Sequence, residues 1–186
     1  MKFRFFVCFL LVVSFLLAQS SGKVNIVQSD FEKSFVKVIE ALNDDLSVIV
    51  TDNIIETNKY SLYTEKEVAV TFPAAIRTGY RYEVYPEYDY AAEYDIVTVY
   101  YFEADNKAKA QEMYNSVKTA LQEIKNKKIL GTWTFAEEKK NEDDFRVKMS
   151  NSNYPDLSIS LKYDNSYIRG NQIVQLTFEM EFWYEY

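Results

Sequence analysis

The chain has 186 residues, 21 lysines and arginines against 28 aspartates and glutamates, a formal net charge of −7 and no histidine. The missing imidazoles remove the commonest general base, every histidine-based triad and every histidine metal site, and the acidic balance disfavours phosphate backbones and anionic membranes as partners. A single cysteine, Cys8, and four glycines in all leave no thiolate chemistry beyond the N-terminus and no glycine-rich phosphate cradle.

The N-terminus reads as a signal peptide over residues 1–20. Lys2 and Arg4 form a positive n-region, Phe5 to Leu17 an uncharged apolar run, and Ala18-Gln19-Ser20 a small-x-small cleavage site. That run is short for a hydrocarbon layer of ~30 Å, so cleavage near Ser21 is expected rather than anchoring. Cys8 is too early for a lipoprotein and leaves with the peptide. The exported chain, secreted or periplasmic, then has no disulfide, relies on its core for stability and carries no membrane span. Loss of Lys2 and Arg4 takes the formal charge from −7 to −9.

Ser29-Asp30-Phe31-Glu32 has capping-box form, and Phe31, Phe35, Val38, Ile39 and Leu42 follow at helical spacing, predicting a helix from about residue 30 to 44. Period-two stretches come next: "EVAVTFP", "YRYEVYP" and "DIVTVYYFE". A second helix is capped by Asp105 or Asn106. Ala110, Met113, Val117, Ala120, Leu121 and Ile124 form its stripe, and Lys125, Lys127 and Lys128 lie near its negative end. "DFRVKMS", "DLSISLKY" and "QIVQLTFEMEFW" complete a set of half-buried antiparallel strands.

A shift of 77 residues superposes three apolar patterns: Val68, Val70 and Phe72 on Phe145, Val147 and Met149; Tyr80, Tyr82 and Val84 on Leu157, Ile159 and Leu161; Val97, Val99 and Tyr101 on Val174, Leu176 and Phe178. A shift of 79 superposes the two helices, and Tyr60 and Leu62 match Trp133 and Phe135 after a gap. The expected fold is therefore α+β, with two similar helix-plus-antiparallel-sheet halves, 21–104 and 105–186, in one compact domain. It has two main helices and about eight strands, and internal duplication accounts for the likeness.

Catalytic patterns are weak. Ser34-Phe35-Val36-Lys37 fits S-x-x-K, but it sits inside a short helix of a chain too small for the fold that uses the motif. Glu87, Asp89, Glu93 and Asp95 read as a solvated acidic hairpin end rather than a glycosidase pair. Neither they nor Glu142-Asp143-Asp144 have the spacing of a calcium loop. No N-x-Ser/Thr acceptor occurs, and acid-flanked Tyr88, Tyr90 and Tyr94 are sulfation candidates only in a eukaryotic secretory route.

The outward strand positions differ between the halves. Arg146, Lys148, Ser158, Ser160, Lys162, Gln175, Thr177 and Glu179 make an ordinary wet face, whereas Tyr85, Tyr100 and Phe102 replace Lys162, Thr177 and Glu179 in the first half. Arg81, Glu83, Tyr85, Tyr88, Tyr90, Tyr100 and Phe102 are thus the candidate binding residues, provided that the segment 46–58 does not cover them. Aromatic rings with a polar handle suit recognition of a protein or glycan. The reading is a non-catalytic binding protein without cofactor, metal or nucleic acid. Its rivals are a structural subunit self-associating through this face and, behind it, a carboxylate-based hydrolase.

Overall fold

The computed structural model describes residues 24, 26–57, 64–86, 90–141, 144–166 and 171–185. Residues 1–20, expected to form a signal peptide, lie outside them, as do Tyr60, Leu62, Tyr88 and the acidic residues Glu87, Asp89, Glu142 and Asp143. In chain order the elements are α1 (Gln28–Asn43), a 3₁₀ turn (Leu46–Val48), β1 (Val50–Thr57), β2 (Thr64–Val68), β3 (Arg77–Pro86) and β4 (Tyr90–Ala104). They are followed by α2 (Lys107–Asn126), β5 (Trp133–Asn141), β6 (Asp144–Asn151), β7 (Tyr154–Ser166) and β8 (Asn171–Glu185). Among the described residues the class is α+β: two helices and one antiparallel sheet of eight strands, in the order β1-β2-β3-β4-β8-β7-β6-β5.

Both helices pack on the same sheet face. The Phe35 ring meets Phe178 of β8 at 5.5 Å and Trp133 of β5 at 5.6 Å, edge-on in each case. Phe31 meets Phe72 at 5.6 Å. The predicted stripes of α1 and α2 are all buried, together with Val97, Val99, Ile159, Leu161, Val174 and Leu176 of the strands. Period two on the strands and period 3.6 on the helices therefore meet in one apolar layer.

The start of α1 departs from expectation. The helix begins at Gln28, Val27 occupies the N-cap position, and no side chain caps it. The Gln28 amide instead bonds Glu32 Oε1 at 3.0 Å and the Ala120 carbonyl of α2 at 3.3 Å, so tertiary contact replaces the capping box. For α2 the expectation holds: Asn106 is the N-cap and accepts from the Lys109 amide at 3.0 Å. Ser34 is nearly buried and donates to the Thr71 carbonyl at 2.8 Å, a structural bond within the S-x-x-K stretch.

β2 ends at Val68, earlier than the alternation implies. Val70 and Phe72 are still buried, because the chain leaves the sheet and turns, with Ala75 N–H bonded to the Phe72 carbonyl at 3.1 Å and Ala74 at φ 63°. The single 77-residue shift is not kept by the ladders either. Tyr80 faces Val97, whereas Leu157 faces Met180 and not Val174.

Residues 46–57 of the expected covering segment do not lie over the sheet face opposite the helices, since Leu46 and Ile49 pack against the core. Strand β1 of this segment pairs with β2 at the sheet edge, through two irregularities of register. The two edges differ in chemistry: β1 exposes Ile54 and Ile55, while β5 at the opposite edge carries exposed Glu137, Glu138 and Lys139.

Candidate functional site

The helix-free face is read off the ladders, because cross-strand partners point to the same side. Across β3, β4 and β8 the successive rows are Arg77–Tyr100–Gln175, Gly79–Thr98–Thr177, Arg81–Ile96–Glu179, Glu83–Tyr94–Glu181 and Tyr85–Ala92–Trp183. β2 adds Glu65 and Glu67, since Glu67 is opposite Gly79.

Of the sequence candidates, Arg81, Glu83, Tyr85 and Tyr100 lie on this face. Phe102 does not. A register shift between Tyr100 and Phe102 sets Phe102 opposite buried Val174, and its ring packs against the core. One extra residue in a strand reverses the side of everything after it, and this bulge places both Tyr101 and Phe102 on the helix side. Tyr90 is in β4, with only its backbone described, and Tyr94 belongs to β4 rather than to a connection.

The polar groups of the face bind one another. At its inner end Tyr100 Oη donates to Glu65 Oε1 at 3.0 Å, and the Arg77 guanidinium stacks over the Tyr100 ring at 4.0 Å. Glu65 is only 1 % exposed. The room for it comes from Gly79, where a Cβ would stand 2.1 Å from Glu65 Oε1. Burial pushes the Tyr100 hydroxyl pKa well up, helped by the Glu65 charge. Burial opposes the Arg77 charge, but Tyr100, Glu65 and Glu103 outweigh it and raise its pKa.

Toward the outer end, Arg81 Nε meets Glu83 Oε1 at 2.6 Å and Tyr85 Oη donates to Glu83 Oε2 at 2.6 Å. Tyr94 Oη donates to Glu181 Oε1 at 2.6 Å, and its ring meets Tyr85 edge-on at 5.5 Å. Burial tends to raise the Glu83 carboxyl pKa, but bonds from Tyr85 and Arg81 overcome it and hold it below its ordinary value. Glu179 goes the other way: burial, then the charges of Glu181 and Glu83, raise it against the pull of Arg81. The Glu181 bond is the main cause that pushes Tyr94 up to about 12.

The outermost row carries the exposed apolar surface, with Tyr85 55 % and Trp183 57 % exposed. On the helix side of the same sheet end Tyr82 and Val84 of β3 are exposed as well, so β3 presents apolar side chains on both faces here. Sequence reasoning missed Glu65, Arg77, Tyr94, Glu181 and Trp183. The parity of "QIVQLTFEMEFW" would have placed Glu181 and Trp183 outward, whereas Glu65 depends on a β2–β3 register that no local pattern announces. Among the described residues no group of three or more acidic side chains or cysteines is placed to hold a metal ion, and no helix is long and apolar enough to cross a membrane. Compared with known protein families, curated proteins and solved structures, the chain matches none.

Proposed function

We propose that this chain is an exported, non-catalytic binding protein that recognises a protein or glycan through the outer end of its helix-free sheet face. The observation that carries the reading is the Tyr85–Ala92–Trp183 row, two half-exposed aromatic rings either side of a small residue. Rigid aromatic surface gives contact area at low entropic cost. The carboxylates beside it are tied to Arg81, Tyr85 and Tyr94, which suits a preorganised surface better than acid–base chemistry. Export rests on the charge and hydropathy pattern of residues 1–20. We also read the chain as two similar αββββ units, 21–104 and 105–186. The support is an element order that repeats and a sheet that runs from β4 to β1 on one side and from β8 to β5 on the other.

The test is a comparison of the protein with its Tyr85→Ser/Trp183→Ser variant in pull-downs from its own extracellular or periplasmic fraction and on a glycan array. Loss of a partner with unchanged thermal stability is the expected outcome. An identical set of partners sinks the assignment of this face. A second reading, self-association, is favoured by exposed Tyr82 and Val84 on the opposite side of the same strand ends and by exposed Ile54 on edge strand β1. Sedimentation equilibrium separates the two, since a monomer at high concentration removes it.

A further inference from the structure

On the helix side of the sheet, away from the face just described, a cleft of about 410 Å³ opens between α2 and the strands β5 to β7. Its volume lies in the range of about 300–1,000 Å³ typical of small-molecule sites. α2 contributes Gln111, Tyr114, Asn115 and Lys118, whose i, i+3, i+4, i+7 spacing is a single helical face. The floor is the partly exposed Phe145 ring and the edge of Tyr114, 6.1 Å apart, backed by the fully buried Tyr163 ring at 5.7 Å from Phe145 and 6.3 Å from Tyr114. A preformed aromatic floor favours a flat, ring-bearing ligand, because stacked or edge-on rings gain more than their area alone.

The rim decides the charge. Glu137 is paired with Lys118 at 3.1 Å, and Glu138 with Lys148 at 3.1 Å. Lys139 stands over the Phe145 ring at 5.5 Å, and among the described residues no carboxylate lies within ion-pairing distance of it. Among the described residues both acids at the mouth are thus paired, and the charge there without a carboxylate partner is an ammonium over the Phe145 ring. We infer that this cleft is a binding site for a small anionic aromatic molecule of one or two rings, its rings on Phe145 and the exposed edge of Tyr114 and its acid group on Lys139. A cation meets the Lys139 charge there.

Calorimetry of the purified protein with 2-naphthoate, neutral 2-naphthamide and cationic 2-naphthylmethylamine tests this. Naphthoate is expected to bind about twofold to fivefold tighter than the amide, the worth of one half-screened charge pair. Lys139→Gln should abolish that difference and leave the amide unchanged. Asn115→Trp, at an exposed position on the mouth, should block both. The assignment is overturned if naphthoate shows no binding up to millimolar concentration, if the amine binds as tightly as the acid, or if Asn115→Trp leaves binding intact. Should that variant fail to fold, intermolecular NOEs from naphthoate to the Phe145 ring replace it, and their absence is equally fatal.

Discussion

Replacing Gly79 by alanine tests what holds the inner end of the helix-free face. The added Cβ would come within 2.1 Å of Glu65 Oε1, 2.4 Å of its Cδ and 2.6 Å of its Cγ, so the Glu65 side chain must leave its place under Tyr100. That forfeits the charge-assisted bond from Tyr100 Oη, worth about 1.5–3 kcal/mol. Against it stands the gain from stiffening a strand glycine, about 0.5–1 kcal/mol. The net expectation is a loss of about 0.5–2.5 kcal/mol, read as a shifted urea midpoint at unchanged slope. The decisive comparison repeats the substitution in a Glu65→Ala background, where the collision is gone. There Gly79→Ala should be neutral or stabilising. If it costs the same in both backgrounds, the glycine is not there to make room for Glu65, and the account of this end of the face fails.

Two further outcomes follow from the shifted acids and phenols. Glu179, raised mainly by burial, loses its proton in the unfolded chain before it does in the folded one, so it subtracts stability as pH rises through the carboxylate range. Glu179→Gln should therefore stabilise the protein at neutral pH and lose that advantage in acid, as followed by thermal melts across pH. Tyr94 and Tyr114, pushed up to about 12 chiefly by the Glu181 bond and by burial respectively, lend stability that is complete below pH ~10 and is lost as pH climbs toward their folded values. Ultraviolet titration should show these two phenols ionising late, near pH 12 or together with unfolding, and ordinary ionisation near 10 would contradict their environments.

Much of the core was legible because it depends on local period. The stripe of α2, a cap at Asp105 or Asn106 and the inward positions Val97, Val99, Ile159, Leu161, Leu176 and Phe178 all follow from spacing alone. What failed was non-local. The bulge beside Tyr101 reverses Phe102, and nothing in "VTVYYFEA" marks which residue is the extra one. The start of α1 is set by Gln28 reaching Ala120, about ninety residues on, a contact that outcompetes the capping box written in Ser29 and Glu32. A uniform 77-residue shift aligns parities, which repeat every two residues, and so cannot report the register that pairs Tyr80 with Val97 but Leu157 with Met180. The aromatic row was half visible: Tyr85 was named, and its companion Trp183 came to notice only when β8 was seen beside β4.

The unequal sheet borders limit how copies of this chain can grow together. β1 offers Ile54 and Ile55 beside unpaired backbone, whereas β5 guards its border with Glu137, Glu138 and Lys139. Charged side chains at a border discourage further strands. Border pairing is then confined to β1 against β1, a contact that uses the same patch on each partner and closes on itself. Strand addition through that border joins two chains and leaves a charged border at each far end, which disfavours growth into a fibre.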